Sequence, residues 1–387
     1  MIRATDFCGS ITREKIVLTT YQRTRYTVHP SIKKGKSHSK LPRAKARVLM
    51  ASSHVSVEEN SSSTILAADI GGTNARFQIW NFSSDGSKDV LLIEQEYKCK
   101  KFPTFELCVT ELLNSSGISG IDRACLAVAG PVKANSCQMT NLTWKIDGAS
   151  LEKTFDIKSV RVMNDFEAIG YGIHELEESD LLRLNNCSKN PTGPIALIGP
   201  GTGLGEALLY WNNSLSQYEV YSSEGSHGRF APVGGLQCKL LKYVEDEIGE
   251  CEVEHVCCGD GLARIYNFLC TELNTNEPML DPAEITEKAL SGTCSICVTT
   301  VKIFLEILGT EAANLALKSL ASGGVYIAGG IPTRLTSILE DGTLLNSFVR
   351  EKSRTSFLLS TFPLIVILNP SVGLIGSKAF ARRLLRK

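Results

Sequence analysis

No run of about 18 uninterrupted apolar residues occurs in this chain, so it carries no segment of the length and composition of a membrane-crossing helix. The apolar stretch Phe362 to Leu368 has the length of a buried strand instead. There is no disulfide framework: the 13 cysteines are an odd number, scattered without paired spacing, which predicts reduced thiols. Cys257-Cys258 and Cys294-Ser295-Ile296-Cys297 lack a second pair or a histidine at zinc-ligand spacing, and they read as buried structural thiols. No glycine-rich segment is followed by Gly-Lys-Ser/Thr, which excludes a P-loop. The glycine turns at 71–72 and 199–205 each lead into a strand and not a helix, which excludes the dinucleotide fingerprint there.

Net charge is also missing, but the formal zero hides an asymmetry. Residues 1–50 hold 12 basic against 2 acidic side chains, a net +10, so the remainder holds 29 against 39, a net −10. An acidic body argues against a nucleic-acid partner. The basic leader is rich in Ser and Thr, and a polar linker carries it on to Ser63. That composition fits a transit peptide, plastid ahead of mitochondrion, since Arg is not dominant and hydroxyl residues are frequent. A basic tail is the alternative, as is an upstream extension, because Met50-Ala51-Ser52-Ser53 would itself serve as a start and leave a cytoplasmic protein.

What is present is a length of 387 residues with 43% hydrophobic content, enough for a large core and two domains beyond the leader. The segment Asp69-Ile70-Gly71-Gly72-Thr73-Asn74 follows the apolar run Ile65 to Ala68 and precedes the alternating Phe77-Gln78-Ile79-Trp80. It reads as strand, tight turn, strand. Adjacent glycines leave backbone N–H groups uncovered, an arrangement suited to an anion as well as to an ordinary hairpin. About 130 residues later Ile195 to Ile198 runs into Gly199-Pro200-Gly201-Thr202-Gly203-Leu204-Gly205 and then Glu206 to Trp211, the same architecture again. Two such hairpins, each with a central Thr, suggest duplicated folds gripping one polyphosphate.

Between them, Val160 to Met163 is a strand whose end delivers Asn164 and Asp165 as a helix begins, the position at which open α/β sheets place ligand groups. Asp165 is equally suited to capping that helix. Met139-Thr140-Asn141 precedes Trp144 in a polar turn, and Glu224-Gly225-Ser226-His227 sets a carboxylate and an imidazole three residues apart in a loop. The longest helical pattern spans Ser295–Ser319, apolar at Val298, Val301, Leu305, Leu308, Ala312, Leu315 and Leu317. A strand over Val325–Ala328 ends in Gly329-Gly330, Leu364–Leu368 is the last strand, and a closing helix from Gly373 to Leu385 is basic at its end.

From Ile65 onward these motifs, in this order, resemble the bacterial-type glucokinases of the actin-like sugar kinase superfamily. The resemblance implies an α/β fold of two RNase H-like domains flanking a cleft, and usually a homodimer. It implies a small domain of residues 64–175 plus 369–387 and a large one of 176–368, after a leader of 1–63. It further implies that Asn141, Asn164, Asp165, Glu224, His227 and Glu254 bind D-glucose, with Asp165 as base toward the 6-hydroxyl. ATP would contact Ala68, Asp69, Ile70, Gly71, Gly72, Thr73, Asn74, Gly201, Thr202, Gly203, Gly329 and Gly330, and Asp69 would reach Mg2+ through water. Two departures stand out: Ser226 occupies a position that is usually Gly in this family, and the Cys-rich zinc motif of the related repressors is missing near His255. A kinase for another hexose, or a non-catalytic sugar sensor, are the competing readings.

Overall fold

A computed structural model describes residues 62–83 and 89–385. The leader reading falls on residues 1–61, outside the described residues. Its boundary moves, however: Ser62 and Ser63 already pair with Ser83 and Phe82 in the first hairpin. Backbone pairing carries the strand beyond its apolar run.

The first half contains strands β1 (Ser62–Ile70), β2 (Asn74–Ser83), β3 (Val90–Lys98) and β4 (Arg123–Val128), with helix α1 (Phe105–Ser116) before β4. A small ribbon follows, of β5 (Val132–Lys133), β6 (Ser136–Gln138) and β7 (Lys145–Asp147), then α2 (Gly148–Phe155), β8 (Ser159–Asn164) and α3 (Asp165–Gly172). The second half has β9 (Leu181–Arg183), β10 (Ile195–Pro200), β11 (Leu204–Asn212) and β12 (Gln217–Ser223). Next come α4 (Gly234–Ile248), α5 (Gly259–Glu272), α6 (Pro282–Leu290), α7 (Ser295–Ser319), β13 (Gly324–Ile327) and α8 (Gly330–Arg334). The chain closes with α9 (Thr336–Leu339), α10 (Thr343–Val349), α11 (Ser356–Leu359), β14 (Leu364–Ile367) and α12 (Val372–Leu384).

The two main sheets repeat one topology. The first has the order β3-β2-β1-β4-β8 and the second β12-β11-β10-β13-β14, with β9 added antiparallel at the β14 edge. In each, three antiparallel strands are followed by two parallel ones. Parallel strands covered on both faces need apolar residues on both, which is why β1, β4 and β10 read as continuous apolar runs. Leu66, Ala68 and Ile70 enter a core with α1 and α2, while Ile65 joins Ala168, Tyr171 and Val372 from α3 and α12.

Local signals set the helix ends. Thr104 caps α1 by accepting from the Leu107 N–H, and Gly117 ends it at φ +66°. The helix α7 has the bounds its periodicity predicts, with Val301, Leu305, Leu308, Ala312 and Leu315 sealed in the second core. Val298 is 44% exposed and Leu317 only partly buried, contrary to the apolar stripe: Val298 lies in the first turn, and Leu317, two residues from Leu315, points to a different face. The described cysteines are free. Among the described residues no single helix is long and apolar enough to cross a membrane.

Candidate active site

A cleft of about 600 Å3 lies where the two sheets present the ends of their strands. It is lined by Gly71 and Gly72 from the first hairpin, by Gly201, Thr202 and Gly203 from the second, and by Asn141, Asn164, Asp165, Glu224, His227, Glu254 and Gly329. A larger cavity of about 840 Å3, between α4, α7 and α10, holds none of the candidate residues.

The strand β8 delivers its terminal pair into this cleft. Asn164 caps α3, its Oδ1 accepting from the N–H groups of Phe166 at 2.9 Å and Glu167 at 3.4 Å. Capping by Asn164 leaves Asp165 the first residue of the helix, lining the cleft, and its Oδ1 accepts from its neighbour Phe166 N at 3.0 Å. Burial, and then the charge of Asp69 opposite, push the Asp165 carboxyl up to about 6. Asp69 is itself raised by burial, an effect that Arg76 opposes. Its carboxylate lies against Gly373, in the first turn of α12, where free N–H groups favour negative charge. Asp165 thus meets the cleft from the start of α3, while Asp69 on β1 does not line it and acts on Asp165 through its charge.

The turn after β1 closes through Gly71 N–H to Asn74 C=O at 2.9 Å. Thr73 is exposed at its tip, and the Asn74 side chain accepts from Lys98 Nζ at 2.8 Å. Ala68 and Ile70 are fully buried, with side chains in the first core, and their carbonyls accept from Ser377 Oγ and Ala129 N–H. Neither they nor Thr73 and Asn74 line the cleft. Gly329, at φ +101°, lines it beside Pro200, whereas Gly330 does not and instead opens α8.

The second hairpin is held from outside. Glu254 Oε2 accepts the Leu204 N–H at 2.7 Å and packs so closely on Gly203 that a Cβ there would collide with it. The loop carrying Glu224 and His227 joins this arrangement through Phe230 N–H to Cys251 C=O and Val253 N–H to Gly228 C=O, both 2.9 Å. That pairing brings in Glu252, which the sequence reading missed: its Oε2 lies 2.7 Å from His227 Nδ1, while Glu224 is 3.8 Å from Nε2. The hydrogen bond to Glu252 holds His227 above its ordinary value, although the ring is half-exposed. Ser226 is buried, so the small hydroxyl fits beneath the loop.

Glu206 was missed as well. It sits on β11, is 2% exposed, lines the cleft, and has no hydrogen-bond partner at Oε1. Its carboxyl packs under Gly225, where a Cβ would overlap it, and burial followed by the charge of Glu311 raises it to about 7. A detectable signal existed: alternation along β11 puts Glu206 on the same face as Leu204 and Leu208, a carboxylate on a core face.

Comparison with known proteins matches this architecture. The family model for glucokinase fits residues 66–384. A glucokinase of Nostoc sp. is 38% identical over 343 residues, covering 83% of this chain and 99% of that protein. The crystal structure of a glucokinase from an Antarctic psychrotroph superposes with a TM-score of 0.74 at 32% identity, over 83% of this chain and 99% of that one. The glucokinase of Balamuthia mandrillaris, solved with glucose, shares the fold at a TM-score of 0.71 and 21% identity, over 84% of this chain and 95% of that one. With a family model spanning both sheets and relatives matched along nearly their whole length, the chain belongs to the glucokinase family.

Proposed function

We propose that this chain transfers the terminal phosphoryl group of ATP to the 6-hydroxyl of D-glucose, with Asp165 as the general base. The observation that carries this reading is the position of Asp165: a cleft carboxyl raised to about 6, at a strand end between two glycine hairpins. A base with that affinity for protons is ionised at neutral pH yet able to accept the proton of an attacking hydroxyl, which contributes roughly 10²–10⁴ in rate. Asn164, Glu224, His227 and Glu254 supply acceptors and donors for the remaining hydroxyls, since a neutral sugar is recognised by dense hydrogen bonding. In the two turns the Gly71 and Gly201 N–H groups close the backbone onto Asn74 and Gly203, and the N–H groups of Gly72, Thr202 and Gly203, which those turn bonds do not use, suit phosphate oxygens.

Asp69 and Asp165 are carboxylates near enough for the charge of one to raise the other, an all-oxygen pair whose repulsion a Mg2+ ion would relieve. Among the described residues no three metal-binding side chains converge, so an ion would draw its other oxygens from phosphate and water. When bound, Mg2+ neutralises charge on the transferred phosphoryl group. Asp69 would hold it through water, as the family resemblance implies.

The test is sugar-dependent ADP release from ATP by the protein starting at Met50, comparing glucose, fructose, mannose and N-acetylglucosamine. Glucose is expected to be preferred. Preference for another hexose overturns the substrate, and no release with any sugar alongside measurable glucose binding overturns the enzyme reading. From its composition alone, the leader is proposed to direct the chain to a plastid; residues 1–63 fused to a fluorescent protein should carry it there, and a cytosolic reporter overturns this. By family likeness the working form is proposed as a homodimer, which sedimentation velocity checks.

A further inference from the structure

The segment Cys294-Ser295-Ile296-Cys297 takes no part in the cleft, yet it does not behave as inert packing. Cys294 is the N-cap of α7, its Sγ accepting the Cys297 N–H at 3.4 Å. Sulfur is a weak acceptor and an unusual cap. The other helices of eight residues or more that are capped by a side chain use Thr104, Asp147, Asn164 and Asp281. Cys294 is half-buried, whereas Cys297 is sealed.

The two sulfurs are therefore unlike. Burial works to raise Cys294, but the N–H groups of Cys297 and Ile296 and the Cys297 thiol outweigh it and leave Cys294 below its ordinary value. Burial and the neighbouring sulfur push Cys297 up to about 12. Lys288 opposes this, and Glu277 acts against the lowering of Cys294; Cys270 on α5 adds to the raising of Cys297. Cys108, buried without such donors, is raised to about 12. A half-buried thiol whose proton affinity the helix-start N–H groups lower, beside a sealed one at Cys-X-X-Cys spacing, is the arrangement in which thiolates become nucleophiles.

The geometry points to a dithiol–disulfide exchange site at the start of α7, with Cys294 as the attacking sulfur and Cys297 as the resolving one. The co-reactant is a disulfide, either of a small thiol such as glutathione or of a protein oxidoreductase. The Cys294 thiolate attacks one sulfur of that disulfide, forming a mixed disulfide and expelling a thiolate. Cys297 then loses its proton and attacks Cys294 Sγ, expelling the second thiolate and closing the Cys294–Cys297 bond. Two protein thiols are oxidised, one disulfide is reduced to two thiols, and the two protons released end on them.

The experiment exposes the full chain to oxidised glutathione, or to an oxidised protein dithiol oxidoreductase, then alkylates and maps each cysteine by mass spectrometry. A Cys294–Cys297 disulfide is expected, with exposed Cys238 as internal reference. Formation with only one of the two oxidants identifies the source of the disulfide. Cys297→Ala should trap the co-reactant on Cys294. Cys294→Ser should abolish both products while glucose-dependent ADP release stays unchanged, because Ser is the better cap. Absence of the Cys294–Cys297 bond with both oxidants, or a Cys297→Ala adduct no greater on Cys294 than on Cys238, overturns the proposal.

Discussion

The ends of β8 and β14 occupy the same place in two copies of one topology, and they differ by one residue type. The strand β8 ends in Asn164 and is followed by Asp165, and after β14 comes Leu368-Asn369-Pro370. Both asparagines fasten the turn into the following helix: Asn164 Oδ1 accepts from Phe166 N–H, and Asn369 Oδ1 accepts from Ser371 N–H at 2.9 Å. Only the first is followed by an acid. The repeat therefore supplies a scaffold twice and chemistry once. The two glycine hairpins differ in a similar way. The first carries a charge at its base, Asp69, whereas the second is pinned through its backbone by Glu254.

The largest expected effect comes from making the two strand ends alike. Asp165→Asn removes the acid while keeping its shape, and kcat should fall by roughly 10²–10⁴ in steady-state ADP release with little change in glucose binding; a loss below threefold would erase the difference drawn between the ends. Releasing the second hairpin is next. Glu254→Ala leaves the Leu204 N–H without its acceptor and should lower kcat/KM by about tenfold to a hundredfold, raising KM for ATP as well as for glucose.

The same acid has a cost in stability. Because the folded chain holds the Asp165 proton up to about 6 against an ordinary 3.8, the native state binds protons more tightly, and stability falls as pH rises through that window. Asp165→Asn should therefore be more stable than the parent by roughly 1–3 kcal/mol at pH 7–8, with the gain vanishing below about pH 4, as read by urea denaturation. The smallest effect concerns His227. Glu252→Gln should raise KM for glucose a few-fold and shift the histidine titration downward in NMR, since the hydrogen bond that raises it is weakened. The stabilising His227–Glu252 contact is full below the ordinary histidine value and fades as pH rises through the raised one.

Much of this was legible because it is local. Both hairpins announce themselves through apolar runs flanking glycines, and α7 through its period. The helix α6 was overlooked although Asp281-Pro282 and Glu284 form a capping box that signals its start. Glu252 carried no local mark: it reaches His227 only because residues 228–230 pair with 251–253, a contact that no motif spacing encodes. The edge strand β9 is of the same kind, three residues whose strand character comes from pairing with β14. The placement of Ala68 and Ile70 shows the converse: they share a motif with Gly71 and Gly72, but strand alternation sends them to the core.

The account rests on Asp165 being the base, and the pH dependence of kcat/KM for glucose tests it most directly, because that ratio reports groups in the free enzyme. We predict an acid limb with an apparent pKa near 6, the value set by burial and the charge of Asp69, and its disappearance in Asp165→Asn. An acid limb that persists unchanged in Asp165→Asn, or a profile flat through that range in the parent, would contradict it.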